Sequence, residues 1–278
     1  MSRFVMGDIH GCYAEFQEAL KIIRFDPKLD HLYLTGDVLN RGMDSCGVLD
    51  WLLAHQACSS VVMGNHDIHL LAYTSHIEGV PFSYSYNDIL PHKHCDQWLE
   101  MIKAWPLYLN VDQNFMIHAS IHPSWDSKVM EQINQQLSKV ISDDMKTFFK
   151  GYYDFLSGNR FIWLDDWNQQ AEWSDFQLYM ALFIFTKARY LKRTDQGYQY
   201  HAKKADHPSG LKDYGEWRPW YDEVTYGQGK VYFGHWAILA GQTGHSSCSS
   251  VDGGCVHGGH LLINNIDTGE SFKVARFY

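Results

Sequence analysis

What the chain lacks narrows its function first. Nowhere does it hold the ~18 consecutive apolar residues that a membrane span needs. No apolar leader precedes the first motif: Ser2-Arg3-Phe4-Val5-Met6 runs straight into Gly7, and the chain is expected to work in the cytoplasm. The six cysteines (Cys12, Cys46, Cys58, Cys95, Cys248, Cys255) contain no CxxC pair and are expected to be reduced thiols. Basic residues are few: 23 Lys and Arg against 32 Asp and Glu, a net charge of −9. That excludes an evident nucleic-acid-binding surface, which needs clustered positive charge. It leaves room for a small phosphorylated substrate, because bound divalent cations dominate a local field.

What is present suits one large domain, or a core with a sizeable insertion. The 278 residues are long enough to bury roughly 75% of the unfolded chain's surface. Short apolar runs alternate with helical patterns through the first half. Phe4–Met6, His31–Leu34, Val61–Met63 and Phe115–Ile117 read as strands; Tyr13–Arg24 and Val48–Ala54 read as helices. This alternation predicts an α/β layered fold. Strand patterns return at Val231–Phe233, Leu261–Ile263 and Phe272–Val274. Between them the composition shifts to Gln, Lys, Asp, Trp and Tyr, with helical stretches at Ser127–Val140 and Asp143–Leu156. The reading is a core of residues 1–125 and 227–278 with a mostly helical cap at 126–226.

Five polar clusters each follow an apolar run: Gly7-Asp8-Ile9-His10-Gly11, Gly36-Asp37 through Asn40-Arg41-Gly42, Gly64-Asn65-His66-Asp67, His118-Ala119 and Gly234-His235-Trp236. Groups at the carboxyl ends of strands in an open α/β sheet gather in one crevice. One Gly-Asp is usually a turn. Five in order, each at a strand end, carry Asp, His and Asn, the hard and borderline ligands of Mn, Fe, Zn or Mg.

The ordered set GDxHG, GDxxxRG, GNHD, HA and GH resembles the calcineurin-like metallophosphoesterases. Within them, Leu32-Tyr33-Leu34-Thr35-Gly36-Asp37, Gly64–Leu71 and Phe233-Gly234-His235-Trp236-Ala237 resemble segments of the symmetrical bis(5′-nucleosyl)-tetraphosphatase family. The resemblance implies a sandwich of two β-sheets flanked by helices, with a helical cap. It also implies two divalent metals, Mn²⁺ first, with Co²⁺, iron, Zn²⁺ and Mg²⁺ as alternatives. Asp8 and His10 would hold one metal, Asn65, His118 and His235 the other, and Asp37 would bridge both. A metal-bridging water would be the nucleophile, and His66 would protonate the leaving phosphate or steady its charge. Arg41 and Arg189 would clamp phosphate oxygens, with Lys187 beside them in Thr186-Lys187-Ala188-Arg189-Tyr190. The implied reaction splits the central phosphoanhydride of diadenosine tetraphosphate into two ADP. The alternatives are a Ser/Thr protein phosphatase on the same dinuclear core and a non-catalytic nucleotide-binding protein. The oligomeric state is left open.

The sequence departs from the pattern in three places. Ser120 stands where HAG has glycine. Asn40 stands where protein phosphatases carry an Asp that pairs with the catalytic histidine. Gly241–Gly254 is long, and Val251-Asp252-Gly253-Gly254-Cys255 resembles the protein-phosphatase form more closely. Outside the pattern, His245, Cys248, Cys255, His257 and His260 form a second candidate zinc set whose spacing matches no standard site. His92, His94 and Cys95 read as a solvated loop. Trp217, Trp220 and Tyr221 either stack an adenine or line the core or the cap hinge.

Overall fold

The structure is a computed structural model describing residues 1–158, 172–195, 197–202, 216–224 and 229–277, with the backbone of 162–164. Strands and helices alternate at first: β1 (Arg3–Met6), α1 (Tyr13–Ile22), β2 (His31–Leu34), α2 (Ser45–Ala54), β3 (Ser59–Val61) and α3 (Asn65–Thr74). Then come α4 (Tyr86–Ile89), α5 (Cys95–Lys103), β4 (Tyr108–Val111), β5 (Asn114–Ile117) and α6 (Ser127–Gly158). Next are β6 (Ile162–Leu164), α7 (Asp175–Thr186), β7 (Tyr190–Thr194), β8 (Gly197–His201) and β9 (Arg218–Pro219). The chain closes with β10 (Val231–Phe233), β11 (Cys248–Ser250), β12 (Asp252–Gly253), β13 (His260–Asn265) and β14 (Ser271–Ala275).

Two sheets form the core. One runs β12-β13-β1-β2-β3, with β14 on β13; the other runs β11-β10-β5-β4. The side-chain period of two splits every central strand between two environments. Val5, Met116 and Tyr232 join Val62 and Val251 in a small buried cluster drawn from both sheets. Their strand neighbours Phe4, Met6, Phe115, Ile117, Val231 and Phe233 belong to the larger core shared with the helices. This is a two-sheet α/β sandwich, and it places the ends of β1, β2, β3, β5 and β10 at one edge.

Helix ends follow local chemistry. Asp44 caps α2 by accepting the Gly47 N–H at 2.6 Å, and Ser174 with Gln177 forms a capping box on α7. Within α6, Asp144 leaves helical geometry (φ −149°, ψ 73°) and accepts the Thr147 N–H at 3.1 Å. The long helix is thus two helices meeting near where the sequence pattern breaks.

Two differences from the sequence reading stand out. The third strand ends at Val61, because the Met63 N–H is taken by Pro106 O at 2.7 Å and the chain leaves the ladder. The segment at 126–226 holds, besides its helices, a four-stranded antiparallel sheet β6-β8-β7-β9 that the sequence reading did not anticipate. Its strands mix Lys192, Arg193 and Gln199 with tyrosines, so no clean alternation announces them. The boundary between 226 and 227 lies outside the described residues.

Candidate metal centre

Ten residues were nominated from sequence: Asp8, His10, Asp37, Arg41, Asn65, His66, His118, Lys187, Arg189 and His235. Nine line one cleft of about 350 Å³; His118 lies fully buried beneath it. The backbone there is strained. His10 (φ 48°), Asp37 (φ 51°), Asn40 (φ 73°), Arg41 (φ 71°) and His235 (φ 63°) all adopt left-handed conformations that non-glycine residues avoid, a recurrent mark of functional sites. Close approach is equally specific. A Cβ on Gly234 would run into the Asp8 carboxylate, and one on Gly7 into the Val251 carbonyl.

Each imidazole is aimed by the bond its other nitrogen makes. His10 Nδ1 donates to Leu39 O (3.1 Å), which leaves the Nε2 lone pair 3.6 Å from Asp37 Oδ2 and 3.9 Å from Asp8 Oδ2. His118 Nδ1 donates to Thr35 O (2.7 Å), which leaves Nε2 3.5 Å from the same Asp37 oxygen. His235 Nε2 donates to Lys187 O (3.1 Å), which leaves Nδ1 with its lone pair. Asp37 Oδ2 therefore stands between two clusters of lone pairs.

The second cluster is decisive on charge. Asn65 Oδ1 lies 3.2 Å from His118 Nε2. As placed, this oxygen faces only acceptors. Turned about, the amide would set its N–H₂ 2.8 Å from His235 Nδ1 and 3.2 Å from both His118 Nε2 and Thr186 O. Converging acceptors need either that rotation or a cation. Spacings of 2.8–3.9 Å suit ligands that share a metal at about 2.0–2.2 Å. The donor set, carboxylate, imidazole and amide oxygen, fits divalent cations of the Mn, Fe, Zn class.

Burial sets the protonation states. Burial would push Asp37 up, but His118, His66, His10 and the His66 N–H (2.7 Å) hold it below the usual carboxylate range. Burial lowers His10 to about 4 against the pull of Asp37, and lowers His118 and His235 as well. These rings are neutral at pH 7, as metal ligands must be.

At the rim the sign reverses. Asn40 is held by the Ser83 and Ser85 hydroxyls, which donate to its Oδ1, so its N–H₂ donates to His66 Nδ1 at 3.2 Å. That assigns the proton to His66 Nε2, which faces the Arg41 guanidinium at 3.1 Å. Burial lowers His66 to about 3, Asp37 opposing. Two donors converging on one point select an anion, as three acceptors select a cation. Burial lowers Lys187, with Asp37 opposing, and lowers Arg189 to about 10, with Asp252 and Asp8 opposing. Arg189 donates to Ala202 O (2.9 Å) and His235 O (2.7 Å), so part of its fork braces the loop that carries His235.

The sequence reading missed two buried carboxyls. Asp67 accepts the N–H groups of Gly64 (2.8 Å), Asp37 (2.9 Å) and Val38 (3.3 Å), and so ties two ligand loops together. The Asp in GNHD was its signal. Asp252 is buried beside Asp8, accepts the Gly254 N–H (2.9 Å) and lines the cleft. Burial and Asp37 push it up to about 6, opposed by the Gly254 N–H and Arg189. Ser120 finds a use for its hydroxyl, which donates to Ile184 O at 2.6 Å at the end of α7.

The other nominated groups do not assemble. His257 sits against Arg41 at 3.0 Å, Cys255 neighbours Cys12, and Cys248 is buried in β11. Among the described residues no metal-ligating group unites them. Trp220 and Tyr221 are buried against Phe233, at ring distances of 5.1 and 5.9 Å, which favours the core reading; Trp217 packs on His201.

The sequence model of the calcineurin-like phosphoesterases matches residues 1–176. The chain is 33% identical to a symmetrical bis(5′-nucleosyl)-tetraphosphatase from Haemophilus ducreyi, covering 99% of both chains. This chain belongs to the calcineurin-like phosphoesterases, in the symmetrical bis(5′-nucleosyl)-tetraphosphatase family. A Pseudomonas fluorescens SBW25 member is 31% identical, covering 98% of this chain and 94% of its own. A crystal structure described as that of a candidate diadenosine tetraphosphatase superposes with a TM-score of 0.65 at 19% identity, covering 99% and 94% of the two chains. A protein serine/threonine phosphatase from Saccharomyces cerevisiae reaches 0.50 at 13%, covering 99% and 79%. The fold is common to tetraphosphatases and protein phosphatases. Sequence similarity is what groups this chain with the former. Among the described residues, no helix is long and apolar enough to cross a membrane.

Proposed function

We propose that this protein hydrolyses the central phosphoanhydride of diadenosine tetraphosphate to two ADP in the cytoplasm, with two divalent cations, Mn²⁺ first among them. One observation carries the proposal: Asp37 Oδ2 lies 3.6 Å from the His10 lone pair and 3.5 Å from the His118 lone pair, a bridging position. Asp8, His10 and Asp37 hold one cation; Asp37, Asn65, His118 and His235 hold the other. When bound, the pair supplies Lewis acidity to phosphoryl oxygens and acidifies the attacking water. Substrate identity rests on the named relatives, which match over 99% and 94% of their length.

The residues then divide the work. Arg41 clamps non-bridging oxygens at the rim, and Arg189 and Lys187 keep the inner wall positive. His66 is a neutral imidazole with its proton on Nε2, held there by Asn40. A neutral ring is a poor acid, and a nucleoside diphosphate, whose phosphate pKa is about 6, leaves without needing a proton. His66 therefore steadies charge on the leaving oxygen by donating a hydrogen bond. The segment 126–226 is the cap that carries Lys187 and Arg189 to the cleft. The test is a Mn²⁺-supplemented assay that offers diadenosine tetraphosphate and a phosphopeptide side by side. Strong preference for the dinucleotide is expected. Preference for the phosphopeptide would replace this reading with the protein-phosphatase one, and inertness toward both would leave a binding protein.

A further inference from the structure

Outside the cleft, one more group of metal-ligating side chains comes together among the described residues: Asp50 on α2, with His92 and His94 in the turn that leads into α5. One ligand atom from each lies within 4.8 Å of the others. His94 Nδ1 meets Asp50 Oδ1 at 2.7 Å. An ion pair accounts for those two and not for His92. That ring is stacked on the buried Trp98, with centroids 4.3 Å apart and planes 13° apart, and its Nδ1 accepts the His94 N–H at 3.2 Å. His92 is thereby fixed by its own neighbours, with Nε2 left for an outside partner. None of the three residues lines the cleft.

We propose that Asp50, His92 and His94 bind one borderline divalent cation of the Zn²⁺ type, clipping α2 to the start of α5. Two imidazoles and a carboxylate suit Zn²⁺, Co²⁺ or Ni²⁺, whereas Mg²⁺ and Ca²⁺ require oxygen ligands. All three residues are half-buried, so an ion and its remaining waters can reach them. The net charge of −9 favours a cation at the surface. A cation that binds only the folded chain stabilises it by mass action. The site stands apart from the catalytic reading and would survive its failure.

The experiment is equilibrium dialysis of the full chain against excess Zn²⁺, with metal counted per chain in wild type and in His92→Ala/His94→Ala. One fewer Zn²⁺ per chain is expected in the double variant, together with loss of part of the Zn²⁺-dependent rise in Tm. Phosphoesterase activity with Mn²⁺ should be unchanged. Equal zinc counts in the two proteins would overturn the proposal. Should the double variant not fold, Asp50→Asn serves instead. Weakening of one class of Zn²⁺ sites by at least about tenfold supports the clip, and an unchanged binding isotherm refutes it.

Discussion

Around His10 the cleft is acidic, and around His118 it is neutral. The first half gathers Asp8, Asp37 and Asp252, and burial, with repulsion among the carboxylates added to it, raises Asp8 and Asp252. The second half gathers the Asn65 oxygen and two imidazole lone pairs within 2.8–3.2 Å, with the shared Asp37 its one carboxylate and Arg189 and Lys187 near both rings. The acidic half is unfavourable without a cation, and the neutral half needs either a cation or the rotated Asn65 amide. The acidic half stores charge repulsion, and any divalent cation relieves it. The neutral half stores misdirected lone pairs, and a cation that prefers nitrogen relieves those best. The first position should therefore tolerate Mg²⁺, and the second should discriminate toward Mn²⁺, Fe²⁺ or Zn²⁺.

The largest way to break this comparison is Asp37→Asn, since Asp37 belongs to both halves. Both metals should be lost, and turnover should fall on the order of 10⁴-fold. Elemental analysis finding full occupancy in an active variant would dismiss Asp37 as the bridge.

His66→Asn should leave both halves loaded and still cost roughly 10²–10³ in turnover, the scale of one lost donor to developing charge. Because the ring donates a hydrogen bond to developing charge, the loss should be largest for synthetic substrates with poor leaving groups and persist, smaller, for good ones. A loss that vanishes for a leaving group needing no proton would restore the general-acid role.

Asp252→Asn sharpens the comparison from one side. It removes charge from the acidic half alone, so affinity at the first position should change about 10–100-fold, the scale of a group beside a ligand. Affinity at the second position should hold. Titration with Mn²⁺ followed by calorimetry separates the two, and equal changes at both would mean the halves are not independent.

The smallest effect lies outside both halves. His122 is buried, its Nδ1 accepts the Ser124 N–H (3.0 Å) and faces the Ser124 hydroxyl (2.7 Å), and burial lowers its pKa to about 3. Between about pH 6.5 and 3 the unfolded chain binds a proton there that the folded chain does not, so stability falls as pH drops through that window and is fully present above it. The contribution should reach about 2 kcal/mol by pH 5. Urea midpoints at pH 7 and 5 should diverge in wild type by more than in His122→Gln; equal pH dependence would show that His122 is not the source.

The acidic and neutral halves were not equally legible in the sequence. Asp8, His10, Asp37, Asn65, His118 and His235 each sit at a set offset after an apolar run, and that offset survives because the loops are held in left-handed turns and close glycine contacts. Asp252 follows a Ser- and Gly-rich stretch and opens a two-residue strand; its segment was noted for a resemblance, but nothing local marked its carboxyl as part of the site. Its role arises only from its burial beside Asp8 at the other end of the chain. Asp67 was visible in GNHD, but its three backbone partners come from two loops, and that is tertiary information. The β7–β8 hairpin pairs locally but was hidden because its side chains mix charge with tyrosine, while β6 and β9 join it by longer-range pairing that no local pattern announces. His66 was legible as a site residue, while its protonation depended on Ser83 and Ser85 turning the Asn40 amide.

On the proposed mechanism, two cations and the His66 donor together choose which phosphoanhydride breaks. Diadenosine tetraphosphate offers chemically similar bonds, so position must come from the protein. The direct measurement is chromatography of an early time point with the Mn²⁺-loaded protein. Two ADP per substrate, with no other nucleotide, is the predicted result. ATP and AMP appearing together as initial products would contradict it.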